Sequence, residues 1–421
     1  VADLSARLTA MVGPYGGGVP GSQRAASGVW SDLVGQPHAV AILAAAARAA
    51  AEPTGDGSNG AAMSQAWLLT GPPGSGRSNA ARAFAAALQC IGDATTGEPA
   101  GSGCGRCQPC RTVLAGTHPD VLLIRTAVLS LKIKEIRDLV LRAAMSPTVG
   151  RRLVVVVEDA DRLTEDAADA LLKSIEEPPP HTVWALCAPA VDDVAPTIRS
   201  RCRHLLLRTP TAAAVADFLV TRHGADPALA LLGARCAQGH IGRARALATD
   251  PEVRARHDAV VGLPQRVTGP AAAARAAADL VATATADADA ASTGSAAAAS
   301  DRLRHQLGLD EGTRPDRAAQ AALRDLADEQ ETMAKRAVRD HLDRALVDLA
   351  AFYRDVLATQ FGAVGAAVNE HRRADLDVLA AASRPEDILR RIDAVLAARE
   401  AIAANGAPLL AVEAMALALV P

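Results

Sequence analysis

The stretch WLLTGPPGSGRSNAARAFAAALQC, residues 67–90, decides the fold. Its first four residues, apolar and β-favouring, predict a short strand. Eight residues of Gly, Pro, Ser and Arg follow, and alanine-rich helix formers then run over 78–88. A glycine-rich loop between a strand and a helix is the context that the phosphate-loop plan G-x-x-x-x-G-K-[ST] requires. Here the plan is filled by Gly71, Pro72, Pro73, Gly74, Ser75, Gly76, Arg77 and Ser78. Glycines let successive backbone N–H groups converge on phosphate oxygens, and the helix N-terminus favours negative charge at the same place. One position departs from the plan. Arg77 stands where lysine is expected, and a planar guanidinium is a bulky substitute for a compact ammonium beside the β- and γ-phosphates.

Working outward, short apolar runs alternate with helical stretches. VLLI (121–124), LVVVV (153–157), TVWALC (182–187) and HLLL (204–207) read as strands, while 132–142 and 165–175 read as helices. Such alternation predicts an α/β core, a mainly parallel sheet with helices on both faces. Glu158 and Asp159 end the LVVVV strand, where a phosphate-loop ATPase carries Asp then Glu, the first on Mg²⁺ and the second polarising water. Reversing the order changes each reach by a methylene. The two acids read equally as a strand end that caps the next loop. With Arg77, they point to a retained nucleotide-binding fold whose own hydrolysis is weak or absent.

Cys90 closes the helix that leaves the loop, and Cys104, Cys107 and Cys110 follow within GSGCGRCQPC. Two overlapping C-x2-C turns gather three thiolates in one small polar loop, and Cys90 completes the four that structural Zn²⁺ prefers. An iron–sulfur cluster is the rival occupant of such a set. Cys187, Cys202 and Cys236 lie in apolar or helical surroundings and read as small core residues without a ligand role.

The 421 residues are enough for two or three domains. Half are apolar, but alanine supplies much of that and aromatics make up 2%, which favours helix packing through small side chains. A net charge of −3 excludes a global basic field, so DNA contact would be local or shared, and lysines such as Lys132 and Lys134 are too few to decide it. The odd count of 7 cysteines and the lack of a long apolar run predict a soluble cytoplasmic protein. Residues 1–28, rich in Gly, Ser and Ala, read as a flexible leader. The core is expected over 29–208, with the cysteine module at 90–110. A helical lid over 209–252 and an all-helical domain over 253–421 follow. Within the last, 269–313 is Ala-rich and lacks large apolar residues, and reads as a solvated, partly helical low-complexity linker or insertion.

A phosphate loop followed by a four-cysteine module resembles the AAA+ clamp-loader ATPases of bacterial DNA polymerase III. VWSDLVGQPHAV (29–40) looks like their adenine-side segment, and Thr117-His118-Pro119-Asp120, LTEDAADALLKSIEEPPPHTVWALC (163–187) and Ser200-Arg201-Cys202 match in order. The resemblance implies an AAA+ core with structural zinc, a helical lid and a helical collar. It also implies partner subunits of the gamma/tau and delta types, a sliding clamp, primer-template DNA and a replisome location at the nucleoid. Active members of the family carry Lys in the loop, Asp-Glu at the strand end, a Thr sensor and a second-sensor Arg. Here Arg77, Glu158, Pro189 and Gly242 occupy those positions. The departures resemble the delta-prime, or stator, type, a holoenzyme component whose Ser-Arg-Cys arginine, here Arg201, serves a neighbour's ATP. The alternatives are an active gamma/tau-like ATPase and a stand-alone zinc protein that binds nucleic acid.

Overall fold

The computed structural model describes residues 28–51, 63–124, 133–307, 309, 316–363 and 367–420. The leader expected over 1–28 lies outside these residues apart from Gly28, as do Lys132 and the side chain of Lys134.

Helix α1 (Pro37–Ala51) precedes strand β1 (Ala66–Thr70), and helix α2 (Arg77–Gln89) follows the glycine-rich loop. The core continues through α3 (Gln108–Leu114), β2 (Val121–Ile124), α4 (Ile133–Ala143), β3 (Leu153–Val157) and α5 (Glu165–Glu176). It ends with β4 (Thr182–Ala188), the short α6 (Pro196–Arg199) and β5 (Arg203–Leu206). All five expected strands form, the last displaced by one residue. Among the described residues they make one parallel sheet ordered β2-β3-β4-β1-β5.

Both faces of that sheet are buried, which explains why its strands read as continuous apolar runs. Trp67, Leu69, Val154, Val156, Val183 and Ala185 pack on one side with Phe84 of α2. Leu68, Val155, Val157, Trp184 and Leu186 pack on the other with Ile136 of α4 and Leu171 of α5. The period-two alternation of side chains sorts neighbouring residues to opposite faces. Since β1 lies between β4 and β5, the loop that follows it opens at the same sheet edge as the ends of β3 and β4. This is the AAA+ P-loop arrangement.

Three helices come next: α7 (Ala212–His223), α8 (Pro227–Cys236) and α9 (Ile241–Thr249). Thr211 caps α7 and Asp226 caps α8, each accepting backbone N–H groups at the helix start. Val215, Leu219, Ala230, Ala234 and Leu247 form their small core. The remaining chain is α10 (Pro251–Val261), α11 (Leu263–Arg266), α12 (Pro270–Gln306), α13 (Arg317–Gln360), α14 (Arg373–Ala382), α15 (Pro385–Ala403) and α16 (Pro408–Ala418).

The stretch 269–313, expected as a solvated, partly helical insertion, is largely the 37-residue helix α12, and part of it is core rather than solvated. Ala273, Ala276, Ala277 and Ala284 are buried, with Leu280 and Val281 packed beside them. These positions recur every three to four residues and so share one face. That face meets α13 and α16, where Leu342, Leu346, Leu349, Phe352 and Tyr353 supply the bulk. Methyl side chains on one helix let large ones on the next reach in, so a helix with few large residues still buries a stripe. Among the described residues, no helix is long and apolar enough to cross a membrane.

Candidate functional site

The phosphate-loop glycines adopt backbone conformations that L side chains avoid, with φ of 154° at Gly71, 86° at Gly74 and 90° at Gly76. No side chain caps α2, so its first N–H groups face the loop, as an anion site requires. The loop is braced from two sides. Gly71 N–H donates to the Pro189 carbonyl at 3.2 Å, just past the end of β4. The buried Gln36 amide donates to the carbonyls of Ser75 (3.2 Å) and Arg208 (2.5 Å) and accepts the Arg208 N–H at 3.2 Å. Gln36 therefore ties the segment before α1, the loop and the exit from β5 together. Only its place in the 29–40 match drew attention to it in the sequence.

Arg77 does not extend across the loop. Its guanidinium folds back and donates to the Gly71 carbonyl, at the base of the same loop. Burial pushes its pKa below the ordinary value, against the opposing pull of Cys187, Asp161, Asp159 and Asp193. A cation thus already occupies the acidic side of the loop. Glu158 is buried and faces Arg82 of α2 at 4.0 Å. Asp159 is half-buried at the start of a 3-10 turn over Ala160–Arg162.

The segment leading into α9 also lies against the loop. A Cβ at Gly74 would lie 2.5 Å from the His240 Cα, so only glycine admits the approach of this segment. At the next residues, Gly242 offers no side chain and Arg243 is paired with Asp348 of α13. Pro189 contributes a backbone carbonyl to the loop and carries no hydroxyl.

The four cysteines converge. Sulfur atoms of Cys90, Cys104, Cys107 and Cys110 all lie within 4.8 Å of one another, with Cys107 and Cys90 at 4.0 Å. Zn–S bonds of ~2.3 Å in a tetrahedron set sulfurs about 3.8 Å apart, so the cluster fits structural zinc with small adjustment. Backbone N–H groups already point at two of the sulfurs, from Gly92 and Cys104 to Cys90 (3.4 Å each) and from Cys107 to Cys104 (3.3 Å). Hydrogen bonding from Cys110, with help from the Cys104 and Gly92 amides, outweighs burial and holds the Cys90 thiol well below its ordinary value. Bound there, zinc would cross-link the loop to the end of α2. Arg106 closes the loop outside, reaching Asp93 and Glu98 at 2.9 Å each. The 3-10 turn Gly28–Trp30 packs on it, with the Trp30 indole donating to the Ser102 carbonyl at 2.9 Å.

Asp120 proves to be a structural anchor. Its carboxylate accepts the backbone N–H groups of Thr148 (2.6 Å), Val149 (2.8 Å) and Gly150 (2.6 Å), which fixes the turn that enters β3. Burial raises its pKa, yet these three donors more than offset that and leave it below the usual carboxylate value.

Arg201 lies just before β5, exposed at the edge of the sheet. It pairs with Glu176 at the end of α5 and donates to the Thr197 carbonyl at 2.9 Å and the Ser200 hydroxyl at 3.1 Å. It is not near the phosphate loop of its own chain. Strand β5 runs parallel to β1 with Arg203 opposite Trp67 and Leu206 opposite Thr70. Arg201 is therefore level with the start of β1, and Gly71 follows its end, roughly 20 Å away at the rise of a strand.

Residues 57–211 match the family described as DNA polymerase III, delta subunit. The delta' subunit of DNA polymerase III from Pseudomonas aeruginosa is 38% identical over 168 residues, 39% of this chain and 50% of that protein. Through this region, the chain is similar to subunits of the DNA polymerase III clamp loader. The tau/gamma subunit from Haemophilus influenzae is 29% identical to this chain over 218 residues, 50% of the chain and 29% of that protein. The chain thus spans half or less of the length of these relatives. A DNA polymerase III gamma subunit-related protein from Thermotoga maritima superposes with a TM-score of 0.32 at 18% identity, covering 67% of this chain and 95% of its own.

Sequence reasoning missed a second cluster. Cys236 is buried as expected, but its sulfur faces His257 and His371 from elements far away in the chain. Nothing local in the sequence signals that meeting.

Proposed function

We propose that this chain is a delta-prime type clamp-loader subunit that helps load a sliding clamp onto primer-template DNA beside gamma/tau and delta type partners. In this reading it supplies Arg201 in trans to a neighbouring subunit's ATP and hydrolyses little or none itself. The observation that carries the proposal is the register of β5 on β1. An arginine level with the start of β1 is too distant for its own phosphate loop and is exposed for another's.

The chemistry follows from charge. A guanidinium brought to a transferred phosphoryl group neutralises charge that develops only in the transition state, so subunit packing controls the rate. The pairing of Arg201 with Glu176 gives it a resting place. Exposed ion pairs are worth about 0–1 kcal/mol, so exchange of Glu176 for a phosphate is inexpensive. Arg77 folded onto the Gly71 carbonyl, and a sensor position without a hydroxyl, support weak or absent turnover in the chain's own site.

The longer match to tau/gamma subunits favours a second reading, an active ATPase with Mg²⁺ held by Glu158 and Asp159. Reconstitution with an ATPase-competent partner separates the two. Arg201→Ala should lower DNA- and clamp-stimulated ATPase at least tenfold while leaving assembly intact. Unchanged turnover refutes the trans role, and turnover by the isolated chain that Gly76→Asp abolishes supports the second reading.

A further inference from the structure

We propose that Cys236, His257 and His371 form a second zinc site, separate from the four-cysteine cluster, in which one thiolate and two imidazoles bind the ion. Each residue offers one ligand atom, and the three lie within 4.8 Å of one another. They come from the end of α8, the middle of α10 and the 3-10 turn Glu370–Arg372. No local packing rule brings a cysteine and two histidines together from such separations.

The state of His257 is the second, independent observation. Its side chain is 4% exposed, and its Nδ1 is 3.0 Å from the Asp348 Oδ2. The other ring nitrogen, Nε2, is buried and has no hydrogen-bond partner. Buried polar atoms are normally satisfied, so an orphaned imidazole nitrogen among possible ligands calls for an occupant. A carboxylate on the far ring nitrogen is also the usual way a metal-bound histidine is oriented and its basicity raised. His371 has the same support, since its Nε2 is 3.3 Å from the Asp258 Oδ1. Both histidines of the trio are thus backed by aspartates.

The donor set selects the ion. One sulfur and two nitrogens suit borderline-soft zinc and do not suit Mg²⁺ or Ca²⁺, which take oxygen ligands. Binding releases the Cys236 thiol proton to solvent and leaves a fourth position. His371 itself lines a shallow cavity of about 250 Å³ with Leu231, Arg235, Val368 and Glu370, a source of water for the last ligand. The ion would staple α8 to α10 and to the 370–372 turn. Asp348, which backs His257, also holds Arg243 of α9, so the same site stiffens the segment that lies over the phosphate loop.

The test counts zinc in the tag-free full-length chain after equilibration with Zn²⁺ and removal of free ion. His371→Gln, at a partly exposed ligand, should fold normally by circular dichroism and bind one equivalent less than the unsubstituted chain. His257→Gln should lose the same equivalent, and in both the rise in Tm on adding Zn²⁺ should shrink. Equal zinc content in the unsubstituted and His371→Gln proteins overturns the proposal, whatever the four-cysteine cluster holds.

Discussion

Replacing Asp120 by Asn tests the physical account of the core more sharply than any change in the loop. The two side chains have nearly the same shape, so the effect isolates charge and hydrogen bonding. In the structure one carboxylate oxygen accepts Val149 and Gly150 N–H, and the other accepts Thr148 N–H. An asparagine can keep its oxygen on the first pair, but its NH2 then faces the Thr148 N–H, donor against donor. Losing one hydrogen bond to a charged acceptor costs about 1.5–3 kcal/mol, and converting two others to neutral bonds adds roughly 0.5–1 kcal/mol each. We therefore expect a loss of about 3–4 kcal/mol. Trp30, Trp67 and Trp184 are the chain's 3 tryptophans, and all are buried in the α/β core. Tryptophan fluorescence during urea unfolding thus reports on that core alone. With a slope of about 2 kcal/mol/M, the midpoint should fall by about 1.5–2 M. The pH dependence has a definite sign. Because the folded-state pKa of Asp120 is depressed, its stabilisation is fully present above the unfolded value of about 3.9 and is lost as pH falls through the lower folded value. The gap between the two proteins should be constant near neutrality and narrow in acid. A loss under 1 kcal/mol at pH 7, or a gap that widens in acid, would refute the reasoning.

Two further outcomes follow from the loop and the cysteines. Arg77→Lys removes the guanidinium held on the Gly71 carbonyl, and binding of Mg-ADP measured by equilibrium dialysis should strengthen at least about tenfold. No gain would show that Arg77 is not what closes the loop and would turn attention to His240 over Gly74. Replacing Cys104 and Cys107 together by Ser should remove one zinc equivalent and lower the core's unfolding midpoint, because zinc bound there would join the loop to α2. Retention of all bound zinc would show that the cluster does not hold the metal.

The parts legible in the sequence were those set by neighbours along the chain. A five-residue apolar run, a glycine-rich loop and two overlapping C-x2-C turns each carry their own geometry, so β1 and β3, the phosphate loop and the Cys104–Cys110 turns could be read directly. Cys90 was within reach because a short loop, pinched by the antiparallel bridge between Asp93 and Glu98, returns the chain to it. Tertiary structure alone decided the rest. Alanines in α12 are weak hydrophobes singly, and only the large side chains of α13 opposite them make that stripe a core. Arg77 was legible as a departure, but its fold onto Gly71 depends on rotamer and local space. The Cys236, His257 and His371 trio depends on how α8, α10 and a distant turn pack, a long-range contact that no local periodicity encodes. Its physical mark, an imidazole nitrogen with no partner, exists only once the chain has folded around it and excluded water.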